Sequence, residues 1–285
     1  MSGARPSSPA RRDPPWLVAT LIGVGVLYLA LVLLLPLLTV FAEALRRGIA
    51  PFIAGISEPD AIAAIQLTLL IAAIAVPLNA VFGIAAAWAV TKFDFWGKSA
   101  LVTLIDLPFS ISPVISGLVY VLLYGAHGWF GPTLDALGIK VIFTVTGIVL
   151  ATVLVTLPFV ARELIPLMQE QGKDEEAAAA TLGASGWRTF FFVTLPNIKW
   201  ALTYGVLLCT ARTMGEFGAV AVVSGHIRGQ TATMPLHVEI LYNEYNFVAA
   251  FAVASLLALF ALVTLAVKTF LEVRFADELA AQRWR

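Results

Sequence analysis

Charged positions are so sparse along this chain that the gaps between them outline its secondary structure. No Asp, Glu, Lys or Arg occurs from Pro14 to Ala42, from Ala61 to Thr91, from Leu107 to Leu134, from Val141 to Ala161 or from Tyr245 to Val267. A helix crosses the hydrocarbon of a bilayer in about 20 largely apolar residues, so every one of these runs is long enough to span. A sixth apolar stretch, Trp200 to Ser224, carries Arg212 and Glu216. The pattern predicts an all-α polytopic membrane protein with six transmembrane helices. It divides into an N-terminal tail over 1–15, a first span over 16–42, a transmembrane domain over 60–275 with a long polar connection at 162–199, and a C-terminal tail over 276–285.

Composition narrows the class further. The chain is 60% apolar and 13% charged, against about 25% charged for a soluble domain, which excludes a water-soluble globule. Lys plus Arg (18) balance Asp plus Glu (18), so there is no basic field to attract nucleic acid. One cysteine, Cys209, cannot form an internal disulfide or a cysteine-based metal cluster. His127, His226 and His237 lie near connections without the i, i+4 spacing of a local zinc site, and read as solvated loop histidines. Arg11 and Arg12 precede the first run as in a signal peptide, but the run is long and no small-residue cleavage site closes it before Glu43, so it reads as a retained anchor.

Cationic residues concentrate on the cytoplasmic side of a membrane protein. Placing the N-terminus inside assigns thirteen there: Arg5, Arg11, Arg12, Lys92, Lys98, Arg162, Lys173, Arg188, Lys199, Lys268, Arg274, Arg283 and Arg285. Four fall outside, Arg46, Arg47, Lys140 and Arg228, with Arg212 set aside within the membrane. Both termini are therefore expected in the cytoplasm. Trp16, Trp88, Trp96 and Trp200 then fall near the inner interface, and Tyr124, Trp129, Tyr242 and Tyr245 near the outer one.

Helix breakers lie inside the apolar runs at Pro36, Pro77, Pro108, Pro113 and Pro158. In lipid, such breaks are tolerated where other helices or a water-filled cavity satisfy the freed carbonyls. The third run opens Asp106-Leu-Pro-Phe-Ser-Ile-Ser-Pro-Val-Ile-Ser-Gly117, and Ser110, Ser112 and Ser116 make part of its surface too polar for lipid. Its serines and prolines serve either a pathway or helix packing. Asp106 either caps the span it opens or meets a cation across the bundle. Arg212 and Glu216, four apart, share a helical face and are either a structural pair or the lining of a path.

The connection from Arg162 to Lys199 holds nine charged residues. Glu175 to Leu182 has strong helix formers with acids in the first turn, Gly183 suits a left-handed cap, and Ser185 can cap a second helix starting near Trp187. The stretch is read as a rigid helical hairpin, with a solvated linker as the alternative. Gly183, nine further residues and Val193-Thr-Leu195-Pro196, after an Ala-rich acidic helix, resemble the coupling signature of ABC importer permeases. That signature runs Glu-Ala-Ala, three residues, Gly, nine residues, an aliphatic residue, one residue, Leu-Pro. Six positions before Gly183 stands Ala177, so Glu176 lies one residue ahead of the acidic position.

Arg212-Thr-Met-Gly-Glu216-Phe-Gly-Ala219, Leu107-Pro-Phe with Ser-Pro-Val-Ile-Ser-Gly, and Leu241-Tyr-Asn-Glu-Tyr245 are similar to the sulfate and molybdate branch of these permeases. Within that branch, the chain resembles the W-type subunit of sulfate/thiosulfate importers over about residues 15 to 275. The resemblance implies a type I ABC importer permease of the bacterial inner membrane, with an ABC ATPase dimer, a related T-type permease, an external sulfate-binding protein and membrane lipid as partners. It implies ATPase coupling through Glu176, Ala177, Ala178, Gly183, Ala184, Leu195 and Pro196, and an anion path near Arg212, Glu216, Asp106, Ser110 and Ser112. No Gly-x-x-x-x-Gly-Lys-Ser/Thr loop occurs, so no cofactor is expected on this chain and ATP would be hydrolysed elsewhere. Molybdate is the neighbouring substrate. An ion-coupled secondary transporter would show inverted hydropathy repeats, and no convincing repeat is visible. A membrane enzyme would need catalytic groups clustered at one interface.

Overall fold

The computed structural model describes residues 14–274, and among these every regular element is helical. In chain order we label α1 (Trp16–Leu45), α2 (Ile49–Ser57), α3 (Pro59–Lys92), α4 (Lys98–Ser110), α5 (Pro113–Tyr124) and α6 (Gly131–Ala136). There follow α7 (Val145–Gln171), α8 (Asp174–Thr181), α9 (Gly186–Met214), α10 (Gly218–Val223), α11 (Met234–Asn243) and α12 (Phe247–Arg274). The tail cations Arg5, Arg11, Arg12, Arg283 and Arg285 lie outside the described residues.

Five helices, α1, α3, α7, α9 and α12, are long and apolar enough to cross a membrane. The sixth crossing differs from the expected straight span beginning at Leu107. It is the pair α4 and α5, bent by 108°. Pro113 disfavours helical backbone at Ser112, which is extended (φ −58, ψ 134), as is Ile111 (φ −100, ψ 136). Helix α4 begins at Lys98, so Asp106 lies well inside it and does not cap it. The expected span from Trp200 to Ser224 is also divided. Helix α9 starts upstream, at Gly186, and stops at Met214, and the short α10 resumes at Gly218.

The core forms where α3, α7 and α9 pack against one another. Lipid offers no hydrophobic drive between helices, so close approach of small residues does this work. A side chain on Gly83 of α3 would place Cβ 2.7 Å from Val160 of α7, and one on Gly205 of α9 would come within 3.2 Å of Val160 Cα. The break at Pro158 in α7 is answered from α3. Leu157 N–H bonds the Leu154 carbonyl (3.4 Å), and Asn79 Nδ2 donates to the Val153 carbonyl (3.3 Å) and to Thr156 Oγ1 (2.7 Å).

The two broken crossings meet each other. A Cβ on Gly117 of α5 would stand 2.7 Å from the Ala219 carbonyl oxygen of α10, and one on Gly218 3.1 Å from Pro113 Cβ. Helix α1 stands apart: its apolar window is unburied by the rest of the chain, and its second half packs on α12. Wide π-type turns at Ala30–Leu34 and Phe190–Thr194 immediately precede Pro36 and Pro196, absorbing rings that an α-turn has no room for.

Candidate functional site

At one end of the bundle the stretch 162–199 divides into the end of α7, a compact hairpin and the start of α9. Helix α8 forms because Asp174, Glu175 and Glu176 in its first turn complement the helix dipole and four alanines follow. Gly183 adopts the left-handed backbone of a C-terminal cap (φ +80). Ser185 is extended ahead of Gly186 but makes no side-chain capping bond, and the second short helix expected near Trp187 is the first turn of the long α9.

The hairpin is fastened to the helices around it. Lys92, at the end of α3 and with 8% of its side chain exposed, pairs with Glu176 at 2.7 Å and donates to the Gly172 carbonyl. Thr194 Oγ1 of α9 donates to the same Glu176 carboxylate (3.2 Å), Asn197 Nδ2 donates to Glu175, and Gln171 donates to the Asn197 carbonyl (3.2 Å). Asp94, beyond α3, meets Lys98 at 3.3 Å and Lys173 at 3.4 Å, and those two ammonium groups hold its carboxyl below its ordinary value. Glu176 therefore points into the joint, whereas Ala177, Ala178, Leu182, Gly183 and Trp187 are exposed. Ala184 is half-buried, Leu195 packs beside Ile198, and Pro196 is exposed.

Within the membrane, Arg212 Nη1 lies 2.7 Å from Glu216 Oε2. The pair forms across a helix end and not along one helical face, because α9 stops at Met214. Glu216 is 1% exposed at its side chain; its Oε1 accepts the Ala219 N–H (3.0 Å), capping α10, while its Oε2 contact is ionic without hydrogen-bond alignment. Thr68, Thr152, Thr213 and Thr233 crowd the same spot. Asp106 meets a different cation. Arg162 Nε donates to its Oδ1 at 2.7 Å, and the guanidinium lies 4.4 Å over the Phe109 ring. Ser110 and Ser112 are exposed, and Ser116 is buried.

Lys92, Asp94, Arg162, Thr194 and Asn197 were not singled out from the sequence. Lys92 stood at the edge of a span and Arg162 stood as the first residue of a connection, and single positions there carry no pairing signal. Arg162 is inside α7. His127 and His226 are exposed as expected, but His237 is buried at 1% on α11, which packs against α3 and α12. Among the described residues, no three His, Cys, Asp or Glu side chains are placed to hold a metal. At the opposite end from the hairpin, Arg228 pairs with Glu244, and His226 Nε2 lies 3.4 Å from Glu239.

Comparison with known proteins shows the family and the fold. The family model described as "Binding-protein-dependent transport system inner membrane component" matches residues 79–277. The sulfate transport system permease protein CysW of Escherichia coli K12 is 51% identical over 258 residues, covering 90% of this chain and 89% of that protein. The sulfate transport system permease protein CysT of the same organism is 36% identical over 254 residues, covering 89% and 92%. Among solved structures, a chain of a bacterial alginate ABC transporter in complex with alginate pentasaccharide-bound periplasmic protein superposes with a TM-score of 0.76 at 17% identity, covering 91% of this chain and 95% of that one. That likeness establishes the fold.

Proposed function

This chain belongs to the family of binding-protein-dependent transport system inner membrane components, and on that premise we propose that it is the W-type permease of an ATP-driven sulfate importer. The observation that carries the reading is the hairpin joint. A projecting helix whose root is tied to α3 through Lys92 and to α9 through Thr194 and Asn197 can transmit a push from outside the membrane to two spans at once. Sulfate as substrate is supported by the CysW and CysT relatives, and the pairing of W- and T-type permeases by the likeness of this chain to both.

In this reading an ABC ATPase dimer docks on the exposed face of Ala177, Ala178, Leu182 and Gly183, with Ala184 behind it and Leu195-Pro196 at the start of the responding span. Nucleotide can shift the spans between inward-open and outward-open only through different contacts with the two states. An external sulfate-binding protein delivers the anion to the end bearing Arg228 and Glu244. Both termini and the hairpin lie in the cytoplasm. The path runs beside the Arg212–Glu216 pair, the half-buried Asp106 and the exposed Ser110 and Ser112.

The test is labelled sulfate uptake in cells lacking this chain alone, with and without its restoration. Restored uptake that vanadate stops and excess molybdate barely affects supports the reading. Uptake insensitive to vanadate overturns the ATP-driven part, and absence of sulfate uptake with restored molybdate uptake overturns the substrate. Gly183→Asp strains a left-handed position by about 1–2 kcal/mol without a steric clash, since nothing lies within 4 Å of its Cβ direction. It should reduce copurification of the ATPase while the chain still inserts; undiminished copurification counts against docking at this hairpin.

A further inference from the structure

The Asp106–Arg162 pair has an unusual address. Helix α4 places Asp106 eight residues from Lys98, and α7 places Arg162 nine residues from Gln171. Both counts put the pair about 12–14 Å in from the hairpin end of the bundle at 1.5 Å per residue. The pair borders the uncharged runs 107–134 and 141–161, and an ionised pair beside lipid there is costly unless it faces water or protein. Yet the side chains are 51% exposed for Arg162 and 38% for Asp106, more open than Arg212 at 34% and Glu216 at 1%. Ser110 is exposed one helical turn beyond Asp106.

The guanidinium is used on one edge. Its Nε donates to Asp106 Oδ1 and its plane is stacked on Phe109, which in turn packs at 5.1 Å on Phe159. Among the described residues, Asp106 is the acceptor that Arg162 bonds, and it does so through Nε; the stacking on Phe109 sets the plane, and with half of the side chain exposed Nη1 and Nη2 remain available to a ligand. Two parallel N–H donors in a rigid fork match two oxygens of a tetrahedral oxyanion. The neighbouring carboxylate cancels most of the net charge. That suits a transit site, where an ion must bind well enough to enter and weakly enough to leave.

We propose that Arg162, oriented by Asp106 and Phe109, is a binding residue for a tetrahedral divalent oxyanion on the hairpin side of the translocation path. The inference rests on the importer reading above and assigns its anion a specific side chain. Asp106 is then a positioning residue that also weakens the site, so the two members of the pair should act in opposite senses. A purely structural ion pair would fail alike from either side.

The experiment uses the assembled complex, purified in lipid nanodiscs without the external binding protein, and measures its thermal stabilisation by sodium sulfate against sodium chloride at equal ionic strength. The wild type should show a saturable, sulfate-specific rise. Arg162→Gln should raise the midpoint sulfate concentration about tenfold or more, the loss of a charged hydrogen bond. Arg162→Lys should raise it less, and Asp106→Asn should lower it several-fold. Midpoints that move in the same direction in Arg162→Gln and Asp106→Asn, midpoints that do not move, or a wild-type complex that imports sulfate in cells yet shows no sulfate-specific rise would each overturn the proposal. Failure of the wild type to import sulfate in cells would instead strike the importer reading.

Discussion

Two ion pairs in this protein reverse the usual relation between depth and exposure. Lys92–Glu176 lies at the edge of the bundle, next to a polar hairpin, yet its side chains are 8% and 20% exposed. Asp106–Arg162 lies farther from the hairpin, where two apolar runs begin and end, yet it is open at 38% and 51%. A pair buried among polar neighbours at an edge is a joint: its carboxylate also accepts from Thr194, so α3, α8 and α9 share one group. A pair left open at the edge of two apolar runs looks onto something other than lipid. The contrast separates where force is transmitted from where an ion is handled.

Breaking the third pair, Arg212–Glu216, marks the far limit of that contrast. Arg212→Ala leaves a carboxylate at 1% exposure without its cation, a loss of about 3–5 kcal/mol for a buried pair. Assembled complex in detergent extracts should fall severely; a normal yield with normal uptake would show that Glu216 is held by its bond to Ala219 alone. Lys92→Met should come next, at about 3 kcal/mol, the low end for a partly shielded pair, and should act on coupling. We expect the chain to insert while uptake per molecule of complex falls at least several-fold. Uptake that stays proportional to the amount of complex would mean the joint transmits nothing.

The smallest effect sharpens the comparison at the solvent-facing side of the joint. Asp94 has its carboxyl held below the ordinary 3.8 by Lys98 and then Lys173. A depressed carboxyl adds stability that is present above the ordinary value and disappears as pH falls through the depressed one. The melting temperature of wild type should therefore exceed that of Asp94→Asn slightly at neutral pH, and the gap should close in acid below 3.8. A gap that persists or widens in acid would mean the side chain acts through something other than its charge.

Legibility in the sequence followed the range of the interaction. The apolar runs, the acidic first turn of α8 and the left-handed cap at Gly183 depend on neighbours within a turn, and they were readable. Asp106 could be marked as a residue needing a partner, but choosing between a cap and a cation required knowing that Ser112 and Pro113 bend the crossing after it. The register of the coupling signature left Glu176 one residue out of place. Its contacts with Lys92, across the sequence, and Thr194 show why an inward-pointing acid sits there.

By itself the sequence determined the solvent of this protein. Sparse charge and long apolar runs can be satisfied only by helices in a bilayer, and hairpin signals are local backbone preferences. Tertiary structure alone decided which charges meet. Lys92 with Glu176, Asp106 with Arg162 and Asn79 with the carbonyl freed near Pro158 are brought together by how α3, α4, α7 and α9 cross. The crossings of α3, α7 and α9 are set by close contacts at Gly83 and Gly205, whose effect depends on the surface opposite and not on the residues beside them in the chain.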